Sequence, residues 1–208
     1  MKMETKEIRS FDFDINASES EERGKYIEGR AIVYNQRTNL GWYDEIIAAD
    51  ALKDTDLRDV RLLVNHNTDM IPLARSRNNN ENSTMQLSVD EEGMTIRANL
   101  DVENNADAKA LYSAIDRRDI TNMSFMFVVD RDSWDDLESD HPTRTITGIK
   151  RVLEVSAVIF PAYSQTTLQA RGLADALDSA KASLESAKAE AREIERRKQK
   201  IRILTEVK

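Results

Sequence analysis

Apolar positions in the early part of the chain recur at every second residue. Phe11, Phe13 and Ile15 do so within Lys6 to Ala17, and Tyr26 to Tyr34 (YIEGRAIVY) is rich in β-branched and aromatic residues. Both segments predict strands, with the polar stretch Ser18 to Lys25 as their connection. After a loop from Asn35 to Tyr43, Ile46, Ile47, Ala51 and Leu52 fall at roughly helical spacing and predict a short helix over Glu45 to Arg58. Val60 to His66 (VRLLVNH) is a compact apolar run with a polar end, the mark of a buried strand that emerges at a surface.

Asn78 to Ser83 is too polar to bury anything and predicts a mobile loop. Beyond it Met85, Leu87 and Val89 alternate, Asp90 to Gly93 supplies turn chemistry, and Ile96, Ala98 and Leu100 alternate again, which reads as a β-hairpin. Asn104 and Asn105 offer N-cap side chains to a helix whose apolar face holds Ala108, Leu111, Tyr112 and Ile115. That helix feeds a strand at MSFMFVV. The acidic, turn-rich segment Asp130 to His141 predicts a protruding loop or a wide hairpin tip. Arg144 to Phe160, dominated by Ile and Val and closed by Pro161, predicts one bent strand or two short ones. The order fits an α+β fold, a mixed, mostly antiparallel β-barrel or sandwich with flanking helices.

From Arg171 to Lys208 the pattern changes. Leu173, Leu177, Ala180, Leu184, Ala187, Ala191, Ile194 and Ile201 keep an a/d heptad register, so residues 171–208 are expected to form a coiled-coil tail distinct from a domain at 1–170. An amphipathic helix packed on its own domain is the plainer reading. The stretch from Glu195 carries six basic residues against two acidic ones.

Composition narrows the chemistry. The six Gly and three Pro are few beside the usual ~12% of a chain, which sets aside collagen-like and Pro/Gly-rich disordered classes. With no Cys, disulfide scaffolds, Cys-ligated zinc and thiol nucleophiles are excluded together. Only two His are present, so a zinc site is poorly supplied, and no metal or other cofactor is expected. No Walker loop, GxGxxG or GxSxG occurs. A net charge of −8 gives no general footing on nucleic acid. The sequence has no run of ~18 apolar residues and opens without the apolar stretch of an export signal, which makes a soluble intracellular protein the expectation, with no membrane partner.

One constellation remains. His66 ends an apolar strand, where the scaffold holds its imidazole within reach of a cleft, and its side-chain type accepts a proton near neutrality. Ser124 enters a strand of large apolar residues that pin its backbone. Glu154 shares one strand face with Ser156, Val158 and Phe160 in apolar surroundings, and a buried carboxylate wants a partner. An imidazole N–H satisfies it, and the pair then orients His66 to deprotonate Ser124. Each residue also has an ordinary structural reading: a strand Ser bonded to a neighbouring carbonyl, an edge His, a solvent-facing Glu.

The succession IEGRAIVYN, YDEII, the strand ending in NHN, PLARS, the EGM hairpin, RRDITNMSFMF and LEVSAVIFPAY resembles the prohead (capsid maturation) serine proteases of tailed bacteriophages, from about Ile8 to Arg171. The M-S-F and E-V-S-x-V-x-F-P-A pieces are its most specific parts. The resemblance implies an assemblin-like β-barrel surrounded by helices, and a serine endopeptidase that cuts scaffold and major capsid protein precursor segments, and itself, inside the immature capsid assembled in the host cytoplasm. It implies Ser124 as nucleophile and His66 as base. Glu154 matches an acidic position of the family and is the choice for the third member, although assemblins use a second His there; His141 and Asp119 are the other candidates. Under this reading the tail docks on precursor proteins or self-associates, and is a candidate for self-cleavage. Two other readings stay open: a non-enzymatic, scaffold-like assembly protein with an idle protease fold, and a coiled-coil nucleic-acid adaptor.

Overall fold

A computed structural model describes residues 5–11, 14–160 and 167–206. Phe13, and the Pro161 that ends the last predicted strand, lie outside these residues. The described chain is mixed α+β, mostly strands with two helices. One sheet runs β1 (Lys6–Phe11), β10 (Asn122–Asp135), β11 (Thr143–Val158), β5 (Asp44–Ile47) and β4 (Thr38–Asn39). In it β6 (Asp59–Val64) also pairs with β11, and β7 (Ala74–Arg77) pairs with β6. The other sheet is β2 (Ile15–Ser20), β3 (Gly24–Val33), β9 (Gly93–Asn99) and β8 (Met85–Asp90). All pairings are antiparallel except those of β5 and β6 with β11.

The expected barrel is replaced by two separate sheets among the described residues, because no ladder joins their edge strands. They close instead through side chains: Ile27, Ile32, Met94 and Ile96 share a buried core with Met123, Phe125, Phe127 and Val155. Where β3 passes β10 the approach is close: a Cβ on Gly29 would lie 2.9 Å from the Met123 sulfur and 3.2 Å from the Ile15 Cα, so a side chain there would make its neighbours shift.

The region expected to be a single strand over Lys6 to Ala17 is two, β1 and β2, in different sheets, so the period-two run crosses a sheet boundary. The polar connection after it shrinks to a turn at 21–23. The helix expected over Glu45 to Arg58 does not form. Asp44–Ile47 pairs in parallel with Thr143 to Ile146, and the turns that follow, with Asp50 at φ 64°, send Ala51 and Leu52 into the core. Distant pairing of the β-branched Ile46 and Ile47 overrides the helical spacing. The Asn78 to Ser83 tract is a hydrogen-bonded turn: Asn79 exchanges two bonds with the Leu87 main chain, and Ser83 is buried. Helix α1 (Ala106–Asp116) starts where expected, with Asn105 Oδ1 accepting from the amides of Asp107 and Ala108.

β10 and β11 form one long hairpin, bent at several register shifts, with its tip at residues 136–142. Helix α2 (Thr167–Glu206) packs part of its stripe on this body: Ala180 and Leu184 are buried with Tyr43 and Trp134, and Leu177 and Ala187 lie against them. Here the plainer reading of the tail holds, because the aromatic group Trp42, Tyr43 and Trp134 offers the stripe an apolar surface. Farther along, Ala191, Ile194 and Ile201 are exposed. The side chain of Leu173, the first heptad position, lies outside the described residues. Among the described residues no helix is long and apolar enough to cross a membrane.

Candidate active site

Three strands and one turn build the site. β10 holds Ser124 rigidly: Met123, Phe125 and Phe127 beside it are fully buried, and the two phenylalanine rings stack at 4.7 Å. β11 runs between β10 and β6, so the alternation that sets Glu154 and Ser156 on one face sets both in the interior, 3% and 0% exposed. The solvent-facing alternative for Glu154 is thereby removed. β6 ends at Val64, and the next two residues, Asn65 (φ 51°) and His66 (φ 57°), both take the left-handed conformation. For non-glycine residues this costs ~1 to 3 kcal/mol each and persists only where the surroundings enforce it. They do: Asn65 N–H donates to Ala157 O at 3.0 Å, Asn65 Oδ1 accepts from Ile159 N at 3.0 Å, and His66 N–H donates to Ser156 Oγ at 3.1 Å.

The turn brings His66 onto the serine and the carboxylate together. His66 Nε2 lies 2.7 Å from Ser124 Oγ, and His66 Nδ1 lies 2.6 Å from Glu154 Oε1. An ionised Glu154 only accepts, so Nδ1 carries a proton and, in the neutral ring, Nε2 is the acceptor facing Ser124. The second carboxylate oxygen is occupied too, since Ser156 Oγ donates to Glu154 Oε2 at 2.5 Å. Ser156 thus ties the carboxylate to the His66 backbone. The sequence had placed Ser156 on the Glu154 face but gave it no role; only the fold shows that the left-handed turn delivers an amide to it.

Ser124 Oγ has a second acceptor, the main-chain carbonyl of Arg9 at 2.8 Å. A carbonyl from a strand over a hundred residues away leaves no signal in sequence. The nucleophile candidate is 0% exposed and His66 is 5% exposed. The other third-member candidates are not brought to His66. His141 bonds to Asp44 at 2.9 Å and Asn39 at 3.2 Å, and exposed Asp119 pairs with Arg117 at 2.6 Å. The His141 bond first, and then Arg37, hold the Asp44 carboxyl below the usual carboxylate range. Among the described residues no three His, Asp or Glu side chains converge as metal ligands would.

Next to the site lies a second buried polar group, absent from the sequence reading. Arg9 pairs with Glu45, and its Nη2 lies 2.7 Å from Glu7 Oε2. Arg144 Nη1 lies 2.9 Å from Glu7 and 3.1 Å from Glu45, and its Nε lies 2.6 Å from Asp132. Ser183 of α2 donates to Asp132 at 2.8 Å. Burial works against both guanidinium charges, yet the facing carboxylates outweigh it and hold both pKa values above the ordinary arginine range.

A family model described as caudovirus prohead serine protease matches residues 11–179. Among solved structures, the bacteriophage T4 capsid assembly protease aligns with a TM-score of 0.42 at 14% identity, covering 74% of this chain and 97% of that one. No curated protein matches the chain significantly.

Proposed function

The chain belongs to the caudovirus prohead serine protease family, and from that membership we propose that it is a serine endopeptidase that cleaves scaffold and major capsid protein precursor segments, and itself, inside the immature capsid. The observation that carries the chemical part of this reading is the unbroken relay from Ser124 Oγ through the two nitrogens of His66 to Glu154, both links at 2.7 Å or less. Ser124 Oγ attacks the scissile carbonyl carbon while His66 Nε2 takes its proton. The C–N bond then breaks as His66 returns that proton to the leaving amine, and water repeats the sequence on the acyl-enzyme. Glu154 holds the reacting tautomer and stabilises the imidazolium. General-base assistance of this kind contributes ~10²- to 10⁴-fold.

The tail takes a docking role in this proposal. Ala191 and Ile194 of the outer part of the stripe are exposed, which supports binding to precursor proteins or to a second copy as a coiled coil. Self-cleavage between a domain at 1–170 and the tail at 171–208 is part of the same reading.

Full burial of Ser124 favours the alternative, an assembly protein with an idle protease fold. A fluorophosphonate probe separates the two. Labelling of the wild type that disappears in Ser124→Ala, together with loss of precursor processing on coexpression, is the expected outcome. Processing that survives Ser124→Ala rejects the assignment.

A further inference from the structure

This inference rests on the serine-protease reading above and concerns the group that receives the negative charge of its tetrahedral intermediate. Acyl transfer needs a hydrogen-bond donor aimed at the developing oxyanion. Among the described residues bonded to Ser124 or directly opposite it, Nδ1–H of His66 and the hydroxyl of Ser156 both serve Glu154. Ser10 is the exception. It is 9% exposed, and its Oγ is buried without a hydrogen-bond partner among the described residues. A buried hydroxyl left unpaired destabilises the fold, so its presence calls for a reason.

Its position supplies one. Ser10 is the residue directly opposite Ser124 in the β1–β10 ladder, and Ser156 is directly opposite Ser124 on the other side. Directly opposed residues of an antiparallel pair project from the same face with Cβ atoms ~4.5 to 5.5 Å apart. Three serines therefore stand in a row across the sheet, with the nucleophile candidate in the middle. The base and carboxylate work from the Ser156 side. The Ser10 side holds the unused donor, one short side chain from any oxygen on a carbon bonded to Ser124 Oγ.

We propose that Ser10 is an oxyanion donor, a catalytic residue that hydrogen-bonds the carbonyl oxygen of a polypeptide substrate as it becomes charged. When Ser124 Oγ bonds to the carbonyl carbon and its proton passes to His66, the π electrons move to oxygen, and Ser10 O–H donates to that oxygen. When the C–N bond breaks and the carbonyl re-forms, the donated bond weakens again.

The test compares wild type, Ser10→Ala and Ser10→Thr in hydrolysis of a labelled unfolded polypeptide, with Ser124→Ala as blank and thermal unfolding of each. Ser10→Ala is expected to lower kcat ~10²- to 10³-fold at unchanged KM, while Tm stays level or rises because an unpaired hydroxyl has gone. Ser10→Thr, which keeps the hydroxyl, is expected to recover most of kcat. Unchanged kcat in Ser10→Ala overturns the proposal, and so does a loss of kcat that follows a fall in Tm and is not rescued by threonine. Absence of any Ser124-dependent hydrolysis in the wild type sinks the protease reading itself, and the role of Ser10 with it.

Discussion

Strands β1 and β10 carry two buried polar clusters, and alternate residues of β1 serve different ones. Glu7 and Arg9 join Glu45, Arg144 and Asp132, in which each charge meets an opposite charge at hydrogen-bond distance. Ser10 faces the other cluster, with Ser124, Ser156, His66 and Glu154. Both are stitched from distant parts of the chain. In the first, every group is matched by its complement, so nothing is available for chemistry. In the second, the bonds form a directed line ending on a hydroxyl with two competing acceptors, beside another hydroxyl with none. Burial of polar side chains therefore does not by itself single out a candidate site; incomplete and directional pairing does.

Substitutions sharpen this contrast. The largest effect is expected at Glu154: Glu154→Gln keeps the shape but loses the charge that fixes the imidazole tautomer, and single-turnover hydrolysis should slow ~10⁴-fold with little change in Tm. A variant that cleaves normally, while His141→Ala or Asp119→Asn does not, would transfer the role away from Glu154. The opposite profile is expected in the charge cluster. Arg144→Met leaves Glu7 and Glu45 to Arg9 and takes the guanidinium away from Asp132, and unpairing a buried charge destabilises by ~3 to 5 kcal/mol, measured by denaturant unfolding. Turnover per folded molecule should hardly move. A fall in kcat as deep as that of Glu154→Gln would mean the two clusters are one functional unit.

The smallest effect is expected at the sheet end, where Asp44 pairs with His141 and Arg37 on the surface. Its carboxyl titrates below the unfolded value of ~3.9. The pair's contribution is therefore present at neutral pH and disappears as pH falls through the folded value. Asp44→Asn should lose at most ~1 kcal/mol at pH 6, and the gap to wild type should close on acidification. A gap that persists in acid would show that Asp44 acts through packing.

The cluster around Ser124 was the more legible of the two. The VRLLVNH run announced a strand that ends on a histidine, and strict alternation put Glu154 and Ser156 on one face; both signals are local. The left-handed turn was not legible, because Asn65 and His66 adopt it under bonds from Ala157, Ser156 and Ile159. The charge cluster was hidden altogether. In KEIRSF, Glu7 and Arg9 look like the polar face of a surface strand, and their partners Glu45 and Arg144 lie far along the chain. The misread helix at Glu45 to Arg58 fails for the same reason: its fate is decided by a parallel partner about a hundred residues later. The heptad of the tail was real as a pattern, yet a pattern does not name its partner, and Trp134 and Tyr43 take its inner half.

The complete burial of Ser124 has a kinetic meaning. In the proposed reaction a carbonyl carbon cannot touch an oxygen that has no exposed surface, so each encounter with Ser124 Oγ would wait for a less populated, opened arrangement of the chain. The measured rate is then the intrinsic rate multiplied by the open fraction. Any partner that binds the open arrangement more tightly raises that fraction, tenfold for every ~1.4 kcal/mol of preference. A relay assembled in full inside a closed molecule needs no rebuilding to be switched on, only a shift in occupancy.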